Sequence, residues 1–203
     1  MGIFMKYINI ESCTSTNDLL FDMAKNGAEK NTVLYARKQT AGKGTNNRSF
    51  FSPENGIYMS VLLKDIEKEN ILDITPTAAV VVSRVLNELC RTDTKIKPVN
   101  DIYLNGKKLC GILTKAQSTS GETDFVIVGI GINLFRPKEG FPDDLSSVAT
   151  YVCDDYDESL RTKVIETVAE KLSEYTAKLS DINFKNEVYE YYNRKVEELK
   201  LTL

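Results

Sequence analysis

The stretch from Gln39 to Phe50, QTAGKGTNNRSF, combines glycines, which make the backbone flexible, with two positively charged side chains. Gly42 and Gly44 allow a ligand to approach the main chain closely. Lys43 and Arg48 carry charge suited to a phosphate or a carboxylate. The stretch is not a Walker phosphate-binding loop, because Gly-Lys is not followed by Ser or Thr at the start of a helix. Taken alone, such a segment is more often a solvated connector between two strands.

A second set of polar residues interrupts a region whose composition favours β-strands. Lys97, Asn100 and Asp101 stand at the junction of two predicted strands. The dipeptide Asn105-Gly106 favours a tight hairpin turn, which brings Lys107 and Lys108 back towards them. Polar residues where a strand should be apolar often mark a site, although lysines protecting a solvated hairpin edge would give the same pattern.

Two glycines, Gly129 and Gly131, interrupt the apolar run from Val128 to Leu134. A glycine inside a strand leaves no side chain to pack, so a ligand or a neighbouring element should approach the backbone there. The run lacks the third glycine and the following helix of a dinucleotide-binding fingerprint. It therefore predicts a close contact and not a Rossmann site.

The composition excludes several kinds of chemistry. The 203 residues include no histidine, which removes Ser-His-Asp and Cys-His mechanisms. The four cysteines are irregularly spaced, so we predict no metal site and a reducing, cytoplasmic location. A formal net charge of −3 argues against a DNA-binding protein. No stretch approaches the roughly 20 apolar residues of a membrane span.

The hydrophobic pattern predicts an α+β fold, with mostly antiparallel strands first and helices last. Residues 39–55 form a loop between two strands, and Ser15-Thr16-Asn17 offers N-cap chemistry for a first helix that ends at Asn26-Gly27. Strands are predicted over residues 5–10, 32–36, 57–63, 94–97, 102–104, 109–115 and 125–134, and the later helices over 73–90, 158–179 and 184–199.

In this order and spacing, these segments resemble the catalytic domain of biotin protein ligases. That family shows S-T-N after its first strand, Q-x-A-G-R-G-R-x-G-R-x-W/F-x-S-P in a loop, K-W-P-N-D before a lysine-bearing hairpin ending in A-G-I-L, and G-I-G-I-N. Any one motif is weak, but five in order make a chance similarity improbable. The matches here are residues 15–17, 39–53, 97–101, 108–113 and 129–133.

The resemblance implies a fold, a domain layout and a function. The fold would be a mixed, mostly antiparallel sheet packed against helices, as in class II aminoacyl-tRNA synthetases and the biotin and lipoate ligases. Residues 1–181 would form the catalytic domain and 182–203 a helical tail, with no helix-turn-helix before them and no room for the usual SH3-like C-terminal domain. The protein would use ATP and Mg²⁺ to make biotinyl-5'-AMP. It would then transfer biotin to a lysine in a biotin carboxyl carrier domain of acetyl-CoA carboxylase or a related carboxylase.

The resemblance also implies roles for individual residues. Lys97 would hold the biotin carboxylate and then the adenylate phosphate. A separate hypothesis, based on the position of Asp101 beside Lys97 and Asn100, is that Asp101 orients or accepts the proton that the acceptor lysine must lose. The predicted catalytic residues are Lys97, Lys108, Asp101 and Lys43. The predicted biotin-binding residues are Ser15, Thr16, Asn17, Gln39, Gly42, Lys43, Gly44, Thr45, Lys97 and Gly111, and the predicted nucleotide-binding residues are Lys43, Arg48, Phe50, Asn100, Lys108 and Asn133.

Several positions depart from the family pattern. Lys43 and Thr45 stand where two arginines are usual, and Pro98-Val99 replaces Trp-Pro. With fewer cationic contacts in the loop, we expect activated biotin to leak faster than from arginine-bearing relatives. A lipoate or octanoate ligase or transferase, and a catalytically weak biotin-binding or adenylate-binding module, are the alternatives. A homodimer remains open.

Overall fold

The computed structural model describes residues 4–202, apart from the side chain of Asn47. Short 3₁₀ turns span Thr45–Asn47 and Lys68–Asp73. The strands are β1 Lys6–Cys13, β2 Thr32–Gln39, β3 Ile57–Leu63, β4 Lys95–Lys97, β5 Asp101–Leu104, β6 Lys107–Thr119 and β7 Glu122–Ile132. The helices are α1 Thr16–Lys25, α2 Ile74–Cys90, α3 Asp143–Ser146, α4 Glu158–Ala177 and α5 Ile182–Lys200.

The strands form one sheet in the order β1-β2-β3-β7-β6-β5-β4. β1 and β2 pair in parallel, which requires a crossover, and α1 provides it. Each other neighbouring pair is antiparallel. The predicted α+β fold with a mixed, mostly antiparallel sheet is therefore confirmed.

Helices cover both faces of this sheet. On one face, α2, α4 and α5 bury the main hydrophobic core, which takes Ile57, Met59 and Val61 from β3. On the other face, α1 packs Leu20 in a smaller cluster with Leu62. Because successive side chains of a strand point to opposite faces, all seven residues of the central strand β3 are buried.

The C-terminal helix contributes to the main core. Val188, Tyr192 and Leu199 of α5 lie in the same hydrophobic cluster as α2. Lys195 Nζ also donates to Asp93 Oδ1 at 2.7 Å, which ties the helix to the segment before β4. The helix that we predicted as a tail after residue 181 thus packs directly on α2 and β4.

Turns and caps agree largely with the sequence pattern. α1 begins after Ser15, whose Oγ accepts the Asp18 amide at 3.4 Å, and it ends before Gly27, which has a φ of +91°. The β5–β6 hairpin turns at Asn105-Gly106, where both residues have positive φ. The pattern did not predict α3 or the second hairpin, in which β6 and β7 extend to a turn at Ser120-Gly121.

A β-bulge in β6 decides the direction of Lys108. In a regular strand, residues three apart face opposite sides of the sheet. Here the β5–β6 register shifts, and the consecutive residues Leu109 and Cys110 are both buried in the main core. Such a bulge re-aims the side chains beside it. Lys108 and Gly111 therefore lie on the same face, the one that carries α1.

Candidate active site

A narrow pocket lies between the start of α1, strands β6 and β7, and the loop after β2. A Cβ on Gly129 would lie 2.4 Å from Asn17 Nδ2, and one on Gly131 would lie 2.6 Å from Phe50 Cε1. The close approach predicted at these glycines is confirmed, because the Asn17 and Phe50 side chains lie directly against the backbone there.

The first pocket is lined by Ser15, Thr16, Asn17, Gln39, Lys43, Gly44, Thr45, Phe50, Asn100, Lys108, Gly111, Ile112, Leu113, Gly129, Ile130 and Gly131.

A chain of hydrogen bonds fixes the polar end of the first pocket. The Thr16 amide donates to Gln39 Oε1 at 2.8 Å, and Gln39 Nε2 donates to Ser52 Oγ at 3.0 Å. Ser60 Oγ donates to Thr16 Oγ1 at 3.0 Å. Our sequence-based prediction missed both serines, although Ser60 stands out as a polar residue in the otherwise apolar strand β3.

Asn17 brings an unpaired acceptor to the same pocket. Its Nδ2 donates to the Leu113 carbonyl at 2.8 Å, and the residue is only 4% exposed. Its Oδ1 is buried and has no hydrogen-bond partner. A buried oxygen without a partner is unfavourable unless a ligand supplies a donor. The neighbouring Ser15 is also buried, and its Oγ caps α1.

The loop after β2 folds back over the first pocket as a small hairpin, which we call the flap (residues 42–50). The Phe50 amide donates to the Gly42 carbonyl at 2.8 Å, and the Gly44 amide donates to the Arg48 carbonyl at 2.7 Å. A Cβ on Gly42 would lie 2.5 Å from Phe50 O. Gly42 does not line the pocket, and its lack of a side chain allows the flap to pack closely; its contact with biotin stays a prediction.

Two ammonium groups flank one carboxylate beside the flap. Lys43 Nζ lies 2.5 Å from Asp18 Oδ2, and Lys115 Nζ pairs with the other carboxylate oxygen. Burial alone would raise the pKa of Asp18, but the hydrogen bonds from Lys115 and Lys43 outweigh it and lower that pKa below its usual value. Lys43, from the flap, is thereby joined to α1 and β6.

The Lys108 ammonium lies close to residues of β5, of β6 and of the flap. Its Nζ lies 2.7 Å from Asp101 Oδ1 and 5.9 Å from the centre of the Phe50 ring. A Cβ on Gly111 would lie 3.4 Å from the same ammonium, so the glycine leaves room for the lysine. The Asn100 side chain donates to the Ile112 carbonyl at 2.8 Å, which holds the start of β5 against β6.

A second, roomier pocket, with a volume of about 210 Å³, adjoins the first. Four residues line both pockets: Gly44, Thr45, Phe50 and Lys108. Two aromatic residues, Phe51 and Phe141, also line the second pocket, and their ring centroids lie 6.2 Å apart. The second pocket is also lined by Arg48, Ser49, Asn133, Leu145, Val148 and Ala149.

The placement predicted for Lys97 is wrong. Its side chain is exposed, its Nζ donates to the Tyr103 hydroxyl at 3.2 Å, and it lines neither pocket. Lys97 belongs to β4, two strands beyond β6 in the sheet, which corresponds to about 10 Å. Lys108 therefore takes the position that we had expected for Lys97.

The predicted nucleotide-binding residues divide between the two pockets. Arg48, Phe50, Lys108 and Asn133 line the second pocket. Lys43 and Asn100 line the first pocket instead, because Lys43 pairs with Asp18 and Asn100 turns towards Ile112. The six residues predicted to bind the nucleotide are therefore not all gathered in one pocket.

Among residues 4–202, none of the helices has the length and hydrophobicity that a membrane span requires.

The fold and the two joined pockets define a domain that can bring two small ligands together. A profile of the biotin/lipoate A/B protein ligase family matches residues 9–133, so the chain belongs to that family. It is similar to the bifunctional ligase/repressor BirA of Bacillus subtilis, with 40% identity over 152 residues that cover 74% of this chain and 46% of BirA. It is also similar to the biotin–[acetyl-CoA-carboxylase] ligase of Mycobacterium tuberculosis, with 31% identity over 140 residues that cover 65% of this chain and 51% of the relative. The chain thus spans about half the length of the curated relatives it matches.

The fold is also found in a solved structure of the same family. The biotin protein ligase from Aquifex aeolicus in complex with biotin and ATP superposes with a TM-score of 0.79 and 29% identity, covering 95% of this chain and 79% of that one. The predicted family and the predicted ligase fold are confirmed.

Proposed function

We propose that this chain is a biotin protein ligase that forms biotinyl-5'-AMP from biotin and ATP, releases pyrophosphate, and transfers biotin to a lysine of a carrier domain. The observation that carries the proposal is the junction of the two pockets at Lys108. A carboxylate and a triphosphate bound on either side of one ammonium would meet at the atoms that must react. The name of the Aquifex aeolicus complex, which contains biotin and ATP, agrees with two such ligands.

The first half-reaction needs positioning and charge neutralisation more than proton transfer. A biotin carboxylate oxygen attacks the α-phosphorus of ATP, a P–O bond forms, and pyrophosphate leaves with the electron pair of the broken P–O bond. Because the carboxylate is already ionised, no base is needed, which suits a chain without histidine. Lys108, fixed between Asp101 and Phe50, supplies the cation that stabilises the charge on the phosphate.

The polar end of the first pocket suits the ureido ring of biotin. That ring offers two N–H donors and one carbonyl acceptor. Asn17 Oδ1 and the oxygens of Thr16 can accept from the donors, and the hydrogen bonds described above hold Thr16 and Gln39 in place. The dithiolane ring of lipoate has no N–H group and would leave Asn17 Oδ1 unpaired. This difference favours biotin over the lipoate alternative.

The second pocket suits the nucleotide. Aromatic rings such as Phe51 and Phe141 can contact a base, and Asn133, which is buried to 8% exposure at the pocket wall, offers polar groups to it. Mg²⁺ would arrive with ATP, held mainly by phosphate oxygens as is usual for this ion. The part of the chain that the structure describes has no cluster of three or more residues suited to hold a metal ion, so the ion would depend on the phosphates, whose charge it would neutralise.

In the second half-reaction a lysine amine attacks the carbonyl carbon of the mixed anhydride, an amide bond forms, and AMP leaves. With an ordinary pKa of about 10.4 the acceptor must lose a proton, and Asp101, the carboxylate paired with Lys108, would receive it. We infer that the acceptor belongs to a biotin carboxyl carrier domain, as the name of the Mycobacterium tuberculosis relative suggests. We place the reaction in the cytoplasm, in agreement with four unpaired cysteines.

The proposal is tested by incubating the protein with ATP, Mg²⁺, biotin and a carrier domain, followed by mass analysis of the carrier. We expect a mass gain of one biotinyl group on one lysine, and pyrophosphate release that depends on both biotin and ATP. Release with lipoate in place of biotin would instead indicate a lipoate ligase. Biotin binding without any pyrophosphate release would indicate a binding module.

A further inference from the structure

The structure points to one residue that controls the flap without belonging to it. The flap reaches over the first pocket and lines it with Lys43, Gly44, Thr45 and Phe50. Two backbone hydrogen bonds hold its own arms together, from the Gly44 and Phe50 amides. Those bonds shape the flap but do not attach it to the far wall of the pocket.

The ring of Phe50 packs against Gly131 of β7, and a second, charged attachment, to α1 and β6, comes from Asp18. Its carboxylate pairs with Lys43 at 2.5 Å and, through the other oxygen, with Lys115 of β6. Asp18 lies in the first turn of α1, directly after the pocket residues Thr16 and Asn17. It is therefore fixed to the same element that forms the polar end of the pocket.

We propose that Asp18 is a positioning residue that holds the flap closed over the first pocket through Lys43. The inference rests on the proposed function, because a closed flap matters most for a mixed anhydride that water would destroy. Lys43 then acts through Asp18 instead of through a direct contact with the ligand phosphate. The 53% exposure of the Lys43 side chain, and its absence from the wall of the second pocket, agree with this role.

Two roles for Lys43 predict opposite effects of one substitution. If Asp18 holds the flap, Asp18→Asn frees the flap and biotinyl-5'-AMP escapes faster. If Lys43 instead binds the phosphate and Asp18 merely competes for it, Asp18→Asn releases Lys43 to the ligand and the adenylate escapes more slowly. Asp22→Asn, one turn further along α1, is the matched control because it removes the same charge without touching Lys43.

The experiment measures the release of preformed biotinyl-5'-AMP by stopped flow. We expect Asp18→Asn and Lys43→Met to release it about threefold to fivefold faster, the effect of losing a partly exposed ion pair. Asp22→Asn should match the parent, Asp18→Glu should recover most of the loss, and the Asp18→Asn/Lys43→Met double variant should be no faster than either single one. Slower or unchanged release from Asp18→Asn would overturn the proposal.

A second measurement needs no ligand and separates this proposal from the proposed function. The sequence has no tryptophan, so Phe50→Trp places a single fluorophore in the flap, against Gly131 of β7. Acrylamide quenching of its fluorescence reports opening of the flap in the free protein. We expect quenching to be at least about twofold stronger when Asp18→Asn is added than in Phe50→Trp alone or with Asp22→Asn. Equal quenching in the three proteins would overturn the role of Asp18. A parent protein that forms no adenylate would overturn the proposed function alone.

Discussion

Lys108 Nζ lies 2.7 Å from Asp101 Oδ1 at the point where the two pockets meet. The pair is formed by neighbouring strands, with Lys108 entering from β6 and Asp101 from β5. A lysine held in this way can neutralise a bound anion without first becoming ordered. The proposed chemistry therefore depends on this lysine and on the carboxylate that fixes it.

Lys108→Met should lower the rate of biotinyl-5'-AMP formation by about 10²-fold to 10³-fold, the range for loss of one preorganised donor. Methionine keeps much of the side-chain length while removing the charge, so the fold should be retained. Pyrophosphate release measures the rate. Lys97→Met is the matched control, and we expect little change because the exposed Lys97 ammonium lies beside Tyr103 and lines neither pocket. A larger loss from Lys97→Met than from Lys108→Met would contradict the reassignment.

Asp101→Asn should slow the transfer of biotin from preformed adenylate to the carrier by about 10²-fold or more, as expected for loss of a general base. The transfer rate should then rise with pH, because a growing fraction of the acceptor amine is already deprotonated. Carrier biotinylation with added biotinyl-5'-AMP isolates this step from adenylate formation. Transfer at the parent rate would reject Asp101 as the proton acceptor.

Gly129→Ala should weaken biotin binding and lower stability. The new Cβ would lie 2.4 Å from Asn17 Nδ2, so the Asn17 side chain must leave its place between Leu113 O and the pocket. Overpacking of this kind destabilises by about 1–3 kcal/mol. Calorimetric titration with biotin and urea unfolding measure the two effects. An unchanged biotin affinity would show that Asn17 does not hold the ligand.

Thr45→Arg should slow the loss of biotinyl-5'-AMP from the protein. Thr45 lines both pockets, and an arginine there would add a planar, fully charged donor beside the phosphate. The release rate of preformed adenylate is the measurement, with Thr45→Gln as a control for side-chain size. Equal release from the parent and Thr45→Arg would remove the basis for the expected leakage.

The attachment of α5 should weaken in acid. Hydrogen bonds from Lys195 and Lys95 lower the pKa of Asp93 to about 2, against about 3.9 in an unfolded chain. A carboxyl with a lowered pKa stabilises the folded state above its unfolded pKa and loses that effect as the pH falls towards its folded pKa. Between about pH 4 and pH 2, the urea midpoint of the parent should fall more than that of Asp93→Asn. Parallel declines would contradict this role.

Local patterns predicted much of the fold because they act over a few residues. The strand over Ile57–Leu63 was predicted with the bounds that the structure has, and α1 ends at its asparagine-glycine pair. The extended hairpin of β6 and β7 was missed, since its tip is polar and pairs outside the core. Ser52 and Ser60 were missed as well, because their importance comes from contacts with Gln39 and Thr16, distant in sequence.

The amino-acid sequence by itself determined the family and the order of the elements. It also placed glycines at the two strand positions against which Asn17 and Phe50 pack. It did not determine which lysine reaches the pockets. That was decided by the bulge at Leu109 and Cys110, where one extra residue turns Lys108 onto the pocket face, and by the sheet order that leaves Lys97 near the edge. Strand pairing and register depend on contacts between distant segments, so the direction of one side chain follows only when the whole sheet has formed.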